Sequence, residues 1–188
     1  MKKIILASQS PRRRELLHLA EIPFEVIAAD TDESFPGGLT PEQASLHIAK
    51  NKALAVKQKS NSELTILAAD TIVVCKGSII GKPVDRQDAI NILTLLSGNI
   101  HEVITGVYLL GKENEYSFYD TTIVSFHFLT LPQIEYYVDK YKPYDKAGAY
   151  AIQEWIGAVG IKKIEGDFYN VMGLPVSRVV EVLGREFK

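Results

Sequence analysis

Thr65-Ile66-Leu67-Ala68-Ala69-Asp70-Thr71-Ile72-Val73-Val74-Cys75 is apolar at odd and even positions alike, apart from one aspartate and two threonines. A strand with one face in water alternates, so this one is covered on both sides, as in a sheet flanked by helices. Upstream, Ile4 to Ala7 and Phe24 to Ala28 are short apolar runs, and Pro11 to Ala20 between them reads as a helix. Thr40-Pro41-Glu42-Gln43 is a helix start: Thr40 caps, Pro41 suits the first turn, Gln43 completes a capping box, and the helix runs to about Lys57. Downstream, Gly77-Ser78 predicts a tight hairpin turn towards Ile79-Ile80, and Asp85 caps a helix to about Leu96, stopped by Ser97-Gly98. His101 to Leu129 reads as two long strands joined across Lys112-Glu113-Asn114-Glu115. In the second, Phe118, Val124, Phe126 and Phe128 share one face, and Ser117, Thr121, Ser125 and His127 the other. Thr130 to about Tyr141 and Pro175 to Leu183 are helical, with an irregular Gly- and Tyr-rich stretch between them. The pattern predicts an α/β fold in one domain, residues 1–188, with a mixed sheet because hairpins follow the strands.

Composition narrows the function. The 188 residues carry 21 Lys and Arg against 23 Asp and Glu, a net charge of −2, with 46% hydrophobic and 23% charged residues. That excludes a disordered chain and a strongly basic nucleic-acid binder. No apolar run approaches the roughly 18 residues of a membrane helix, and the apolar stretch of Met1 to Ala7 is too short for a signal peptide. One cysteine, Cys75, suits a reducing compartment, so a cytoplasmic protein is expected.

Four features break local rules. Ser8-Gln9-Ser10-Pro11-Arg12-Arg13-Arg14 puts three arginines in the first turn of a helix, with Ser10 as its cap. Cations there oppose the helix dipole by about 0.3–1 kcal/mol each. A bound anion would reverse the sign; a solvated charge run is the plainer alternative. Asp70 shares a strand face with Ile66, Ala68, Ile72 and Val74, which calls for a metal, a cation or hydrogen bonds, or else for backbone amides at a strand end. Lys52 falls near the middle of an apolar helix face built by Ala44, Ile48, Ala49, Ala53, Ala55 and Val56, and either snorkels outward or reaches an anion. Asp30-Thr31-Asp32-Glu33 is either an acidic surface loop or a set of oxygen ligands for a cation such as Mg²⁺. Lys82, in Gly81-Lys82-Pro83, adds a further cation or is a hairpin-end lysine. Together these are the parts of a metal-assisted phosphoryl site. A P-loop, zinc-type histidine spacing and a Gly-x-Ser-x-Gly elbow are all missing. Asp30 to Ser34 only superficially matches the aspartyl nucleophile motif of haloacid-dehalogenase phosphatases, since Ser34 replaces the usual Thr or Val.

The run Leu6-Ala7-Ser8-Gln9-Ser10-Pro11-Arg12-Arg13-Arg14-Glu15-Leu16-Leu17 resembles the opening signature of the Maf family of nucleoside triphosphate pyrophosphatases. So do Asp32-Glu33, Ala68-Ala69-Asp70-Thr71, Gly81-Lys82-Pro83, Leu96-Ser97-Gly98 and Thr105-Gly106-Val107. Asp145-Lys146-Ala147-Gly148-Ala149-Tyr150, and Glu165-Gly166-Asp167 through Gly173-Leu174-Pro175, complete the set in family order.

The resemblance implies an inosine triphosphatase-like α/β fold, a central twisted mixed sheet flanked by helices, with two lobes around a cleft. It implies hydrolysis of the α–β phosphoanhydride of a nucleoside triphosphate with a divalent metal, Mg²⁺ or Mn²⁺. It also implies a cytoplasmic protein, often a homodimer, with neither nucleic acid nor membrane as partner. Some relatives are linked to cell-division arrest or to house-cleaning of the nucleotide pool. By that resemblance Asp70 accepts the proton of the attacking water and Glu33 joins it in holding the metal. Ser8, Arg13, Lys52 and Lys82 match polyphosphate positions, Lys82 with a catalytic part. Arg12, Thr71 and Gln153 match the specificity positions of the branch preferring dTTP and UTP; a glutamine amide offers both a donor and an acceptor to a pyrimidine edge. The chain departs from the pattern at Ala151 and Glu154, where many relatives have glycine. A nucleotide-sensing regulator of septum formation with little catalysis is the alternative, disfavoured by the retention of Asp70 and Glu33.

Overall fold

The computed structural model describes residues 2–60 and 62–187. Its strands are β1 (Ile4–Leu6), β2 (Phe24–Val26), β3 (Ile66–Cys75), β4 (Ser78–Ile80), β5 (Ile100–Leu110), β6 (Glu115–Phe126) and β7 (Ile161–Glu165). Its α-helices are α1 (Pro11–Leu19), α2 (Pro41–Lys59), α3 (Arg86–Leu96), α4 (Leu131–Tyr141), α5 (Trp155–Gly160), α6 (Phe168–Val171) and α7 (Val176–Glu186). A 3₁₀ turn covers Ala147–Ala149. The α/β class and the mixed sheet are as expected. β1 pairs in parallel with both β2 and β3, whereas β4 pairs antiparallel with β3, and β7 with β6. Among the described residues no helix is long and apolar enough to cross a membrane.

The chain divides into two compact units, three strands contributing to both. The first comprises the chain up to Thr71, Thr105–Asp120 and the chain from Gly173. Within it the strand order is β2-β1-β3-β5-β6. Ile66, Leu67, Ala68 and Ala69 all have 0% exposure, so β3 is covered on both faces as its sequence requires. Helix α2 opens with the expected capping box: Gln43 N–H donates to Thr40 Oγ1 and Thr40 N–H to Gln43 Oε1. Ala49, Ala53 and Val56 on this helix pack against Ile5, Ala7, Ile66 and Ala68. Small side chains on both sides bring helix and sheet close, and Gly106 on β5 closes the same contact. A Cβ there would lie 2.5 Å from the Ser45 carbonyl carbon and 2.6 Å from Leu46 N.

The second unit comprises Ile72–Ile104 and Thr121–Met172. Here the β3–β4 hairpin corrects the expected turn. Cys75 pairs with Ser78, so the two-residue turn is Lys76-Gly77, both at positive φ (51° and 77°), rather than Gly77-Ser78. Asp85 caps α3 as read, accepting from Asp88 N–H at 2.8 Å. Strand β6 buries Phe118, Val124 and Phe126 on one face, but ends there. The register shifts between Ser125 and Phe126, which breaks the alternation, and Phe128 beyond it is 82% exposed. Strand β7 lies in the stretch read as irregular. Ile161-Lys162-Lys163-Ile164-Glu165 carries two lysines because it is an edge strand, the place where charge discourages further pairing.

Candidate active site

Two periodicities bring the first cluster together. Ile66, Ala68 and Asp70 share one face of β3, the face that α2 covers. On α2, Lys52 stands next to Ala53 and three residues after Ala49, so its stem lies over that same face. Its ammonium donates to Asp70 Oδ1 at 2.7 Å and to Glu33 Oε1 at 2.7 Å. Lys52 therefore reaches anions rather than snorkelling, and it brings a cation into direct contact with the buried Asp70 carboxylate. The Lys52 and Asp70 side chains are 14% and 13% exposed, while Glu33 remains open at 45%. The loop carrying Glu33 is braced by Asp32, which accepts from Ser34 N–H at 2.9 Å and from Ser34 Oγ at 2.6 Å. These bonds hold the Asp32 carboxyl below its ordinary range.

The second cluster surrounds Arg13, the third residue of α1. The chain does not leave it in a solvated charge run: its guanidinium is buried, with 8% exposure. Nε donates to the Gly173 carbonyl at 2.7 Å, Nη1 to Ser8 Oγ at 3.2 Å and Nη2 to Thr71 Oγ1 at 3.1 Å. Every one of these acceptors is uncharged. Burial lowers the Arg13 pKa from its ordinary value, the Asp70 charge opposes that, Arg12 adds to it and Glu33 opposes it. Ser8 serves twice, since its Oγ also accepts from Ser10 N–H at 3.2 Å. Ser10 occupies the cap position as expected, but its side chain makes no capping bond, and the first turn holds no acid. The start of α1 thus presents cationic side chains and a positive dipole end together.

Of the residues singled out in the sequence, Ser8, Arg13 and Thr71 form one hydrogen-bonded group, and Glu33, Lys52 and Asp70 another. Asp70 and Thr71 are consecutive on β3. Arg12 precedes Arg13 at the start of α1 and is half-buried. Lys82 and Gln153 belong to the second unit. Lys82 is exposed between β4 and α3, beside Gly81, whose carbonyl accepts from Gly148 N–H at 3.1 Å. Gln153 is exposed on the turn before α5.

Two partners escaped the sequence reading. Gly173 supplies its carbonyl to Arg13 from a backbone at φ 112°, where a side chain would be strained. Thr105, fully buried, lies 3.0 Å from Thr71 through its hydroxyl. Both stand in blocks that carried the family resemblance, which was the available signal.

Glu33 and Asp70 are also the residues fit to hold a metal. Both are hard oxygen donors, and one ammonium already spans them. Among the described residues no group of three or more His, Cys, Asp or Glu gathers into a cage. Two carboxylates suit Mg²⁺ or Mn²⁺, which take one or two from the protein and the remaining oxygens from water and phosphate. They do not suit a metal that needs a complete protein shell.

The Maf-like protein family profile matches residues 3–186. A dTTP/UTP pyrophosphatase of Cytophaga hutchinsonii is 50% identical, covering 98% of this chain and 84% of the relative. The chain belongs to the Maf family. A dTTP/UTP pyrophosphatase of Bacillus cereus (strain G9842) is 46% identical, covering 97% of this Maf chain and 95% of its own. Among solved structures, the Staphylococcus aureus Ham1 protein aligns at TM-score 0.47 and 15% identity, over 66% of this chain and 72% of that one.

Proposed function

We propose that this Maf-family chain is a nucleoside triphosphate pyrophosphatase, cleaving dTTP and UTP between the α- and β-phosphates. The observation that carries the reading is one lysine joining two carboxylates, next in chain order to a buried arginine group bonded only to uncharged oxygens. A nucleoside triphosphate carries close to four negative charges, so it needs several cations at once. The first turn of α1, with Arg12 and Arg13, and Lys52 are the groups that answer this need, and Lys82 is assigned to it as well. The dTTP/UTP preference rests on the relatives and on Arg12, Thr71 and Gln153.

In the proposed reaction, water attacks the α-phosphorus and the bond from that phosphorus to the oxygen bridging to the β-phosphorus breaks. The bridging oxygen leaves on pyrophosphate. Asp70 takes the proton of the attacking water. Lys52, bonded to Asp70 Oδ1, holds that carboxylate in place, and its positive charge offsets the negative charge building on the leaving group. Arg13, oriented by Ser8, Thr71 and Gly173, is pre-set for phosphate oxygens and loses little entropy on binding them. A divalent cation held by Glu33 and Asp70 supplies Lewis-acid charge neutralisation when bound. We further propose that the enzyme works in the cytoplasm.

The test is pyrophosphate release from dTTP, UTP, CTP, dUTP, 7-methyl-GTP and inosine triphosphate with Mg²⁺ or Mn²⁺. Asp70→Asn is expected to keep nucleotide binding and to lose at least about a hundredfold in kcat, the usual contribution of a general base. Unchanged turnover in Asp70→Asn removes that residue from the role. Tight binding without turnover by the unaltered protein would instead favour a nucleotide-sensing regulator.

A further inference from the structure

Ala151 to Glu154 form a β-turn closed by Glu154 N–H donating to the Ala151 carbonyl at 3.1 Å. Ala151 and Ile152 are buried, with 5% and 4% exposure, while Gln153 stands exposed at the tip. Both ends of the turn are gripped from α4. The Tyr137 hydroxyl, on a side chain with 0% exposure, accepts from Ala151 N–H at 3.1 Å and donates to Glu154 Oε2. The Lys146 ammonium lies 3.7 Å from Glu154 Oε1 and 2.7 Å from Asp145 Oδ1, on a side chain only 9% exposed. Tyr136, the preceding residue of α4, meets the Trp155 ring edge-on at 5.0 Å between centroids. Beneath the turn, a Cβ on Gly157 would fall 1.7 Å from the Ile152 carbonyl oxygen, so the backbone there is packed to contact.

We infer that Tyr137, Glu154 and Lys146 are positioning residues for Gln153, a clamp that fixes the backbone from which its amide reads the base. The inference rests on the proposed role of Gln153 in base selection and extends it to residues that touch no substrate. It also gives the departure at Glu154 a purpose. With glycine there, the bond from Tyr137 to Glu154 and the ion pair from Lys146 to this turn would both be missing. The added carboxylate closes a bridge from α4 to the turn. The reason such a clamp matters is the symmetry of an amide. Its oxygen and nitrogen can pair with a uracil or thymine edge, or, turned over, with a cytosine edge. A held backbone restricts which pose is reached without cost, and a loose one admits both.

The experiment compares kcat and KM for dTTP and CTP in the full-length protein bearing Tyr137→Phe, Gln153→Ala, or both. Tyr137→Phe keeps the ring stacked on Tyr141 and removes only the hydroxyl. We expect KM for dTTP to rise, kcat to stay within about twofold, and dTTP-over-CTP preference to fall about tenfold. The double variant should match Gln153→Ala alone, because the clamp acts through that residue. Glu154→Gln, whose amide oxygen still accepts from Tyr137, should lose less preference than Glu154→Ala; this pair also serves if Tyr137→Phe fails to fold. Additive effects of Tyr137→Phe and Gln153→Ala would overturn the clamp, as would an unchanged preference in Tyr137→Phe where Gln153→Ala loses it. If Gln153→Ala itself leaves the preference unchanged, the reading of Gln153 falls, and the clamp with it.

Discussion

Arg13 differs from Lys52 in having, among the described residues, no carboxylate among its hydrogen-bond partners. Its fork is divided among Ser8, Thr71 and Gly173, three acceptors in three directions. A planar guanidinium meets such a set in one orientation; an ammonium cannot. Arg13→Lys therefore keeps the charge and loses the geometry. The lysine nitrogen reaches at most part of the set, and buried oxygens lose their donors. We expect a loss of about 1–3 kcal/mol in urea unfolding and a fall of at least about tenfold in kcat/KM. A variant with wild-type stability and turnover would show that charge alone is needed at this position. Asp70 and Lys52 pose the opposite case, a pair of unlike charges that satisfy each other. Each was legible in the sequence as an oddity, because strand parity put Asp70 on an apolar face and helical spacing put Lys52 on another, but no sequence pattern said that the two meet. Both were anomalies of pattern, and the structure makes them one contact. The partners of Arg13 were less legible, since a backbone carbonyl leaves no mark in the side-chain pattern.

Helix α2 delivers Lys52, and how closely it lies on the sheet depends on residues that do no chemistry. Gly106 on β5 passes the backbone of Ser45 and Leu46 with no room for a methyl group. Gly106→Ala must push strand and helix apart, and the contact is with backbone, which cannot rotate away. Overpacking of this kind costs about 1–3 kcal/mol. Because Lys52 lies two turns further along the same helix, turnover should fall with stability. Gly184, in α7, is the control: among the described residues nothing outside its own helix backbone lies within 4 Å of its Cβ position, so Gly184→Ala should stabilise by about 0.5–1 kcal/mol through helix propensity alone. Thermal melts of the two variants check both signs, and equal melting temperatures would refute the packing argument for Gly106. Elements with strong periodicity or caps, α2 and β3 above all, were readable from sequence. Strand β7 was not, because edge strands carry the lysines and short length that sequence patterns assign to loops. Nor was the grip of Tyr137 on Glu154, which depends on tertiary contact between a helix and a turn.

For the molecule as a whole, stability should depend on pH through a residue that belongs to neither hydrogen-bonded group of the site. His101 on β5 is buried, with 1% exposure, between the rings of Phe126 and Tyr150. Its Nε2 lies 2.7 Å from the Tyr150 hydroxyl, and its Nδ1 has no hydrogen-bond partner among the described residues. A charged imidazolium would be expensive there, and burial lowers the His101 pKa from 6.5 to about 4. In the unfolded chain the ring titrates near 6.5, so between the two values the unfolded state binds the extra proton. The stabilising contribution is therefore complete above about pH 6.5 and is lost as pH falls towards about 4. A gap of that size corresponds to about 3 kcal/mol, an upper bound because water entering a loosened core would soften it. Melting temperatures measured from pH 7 down to pH 4.5 should fall steadily in the unaltered protein. His101→Gln keeps a polar group for Tyr150 but cannot take the proton, so its curve should be markedly flatter over the same interval, whatever its stability at pH 7. Parallel curves for the two proteins would mean that the pH dependence arises elsewhere and that His101 is accommodated with its proton.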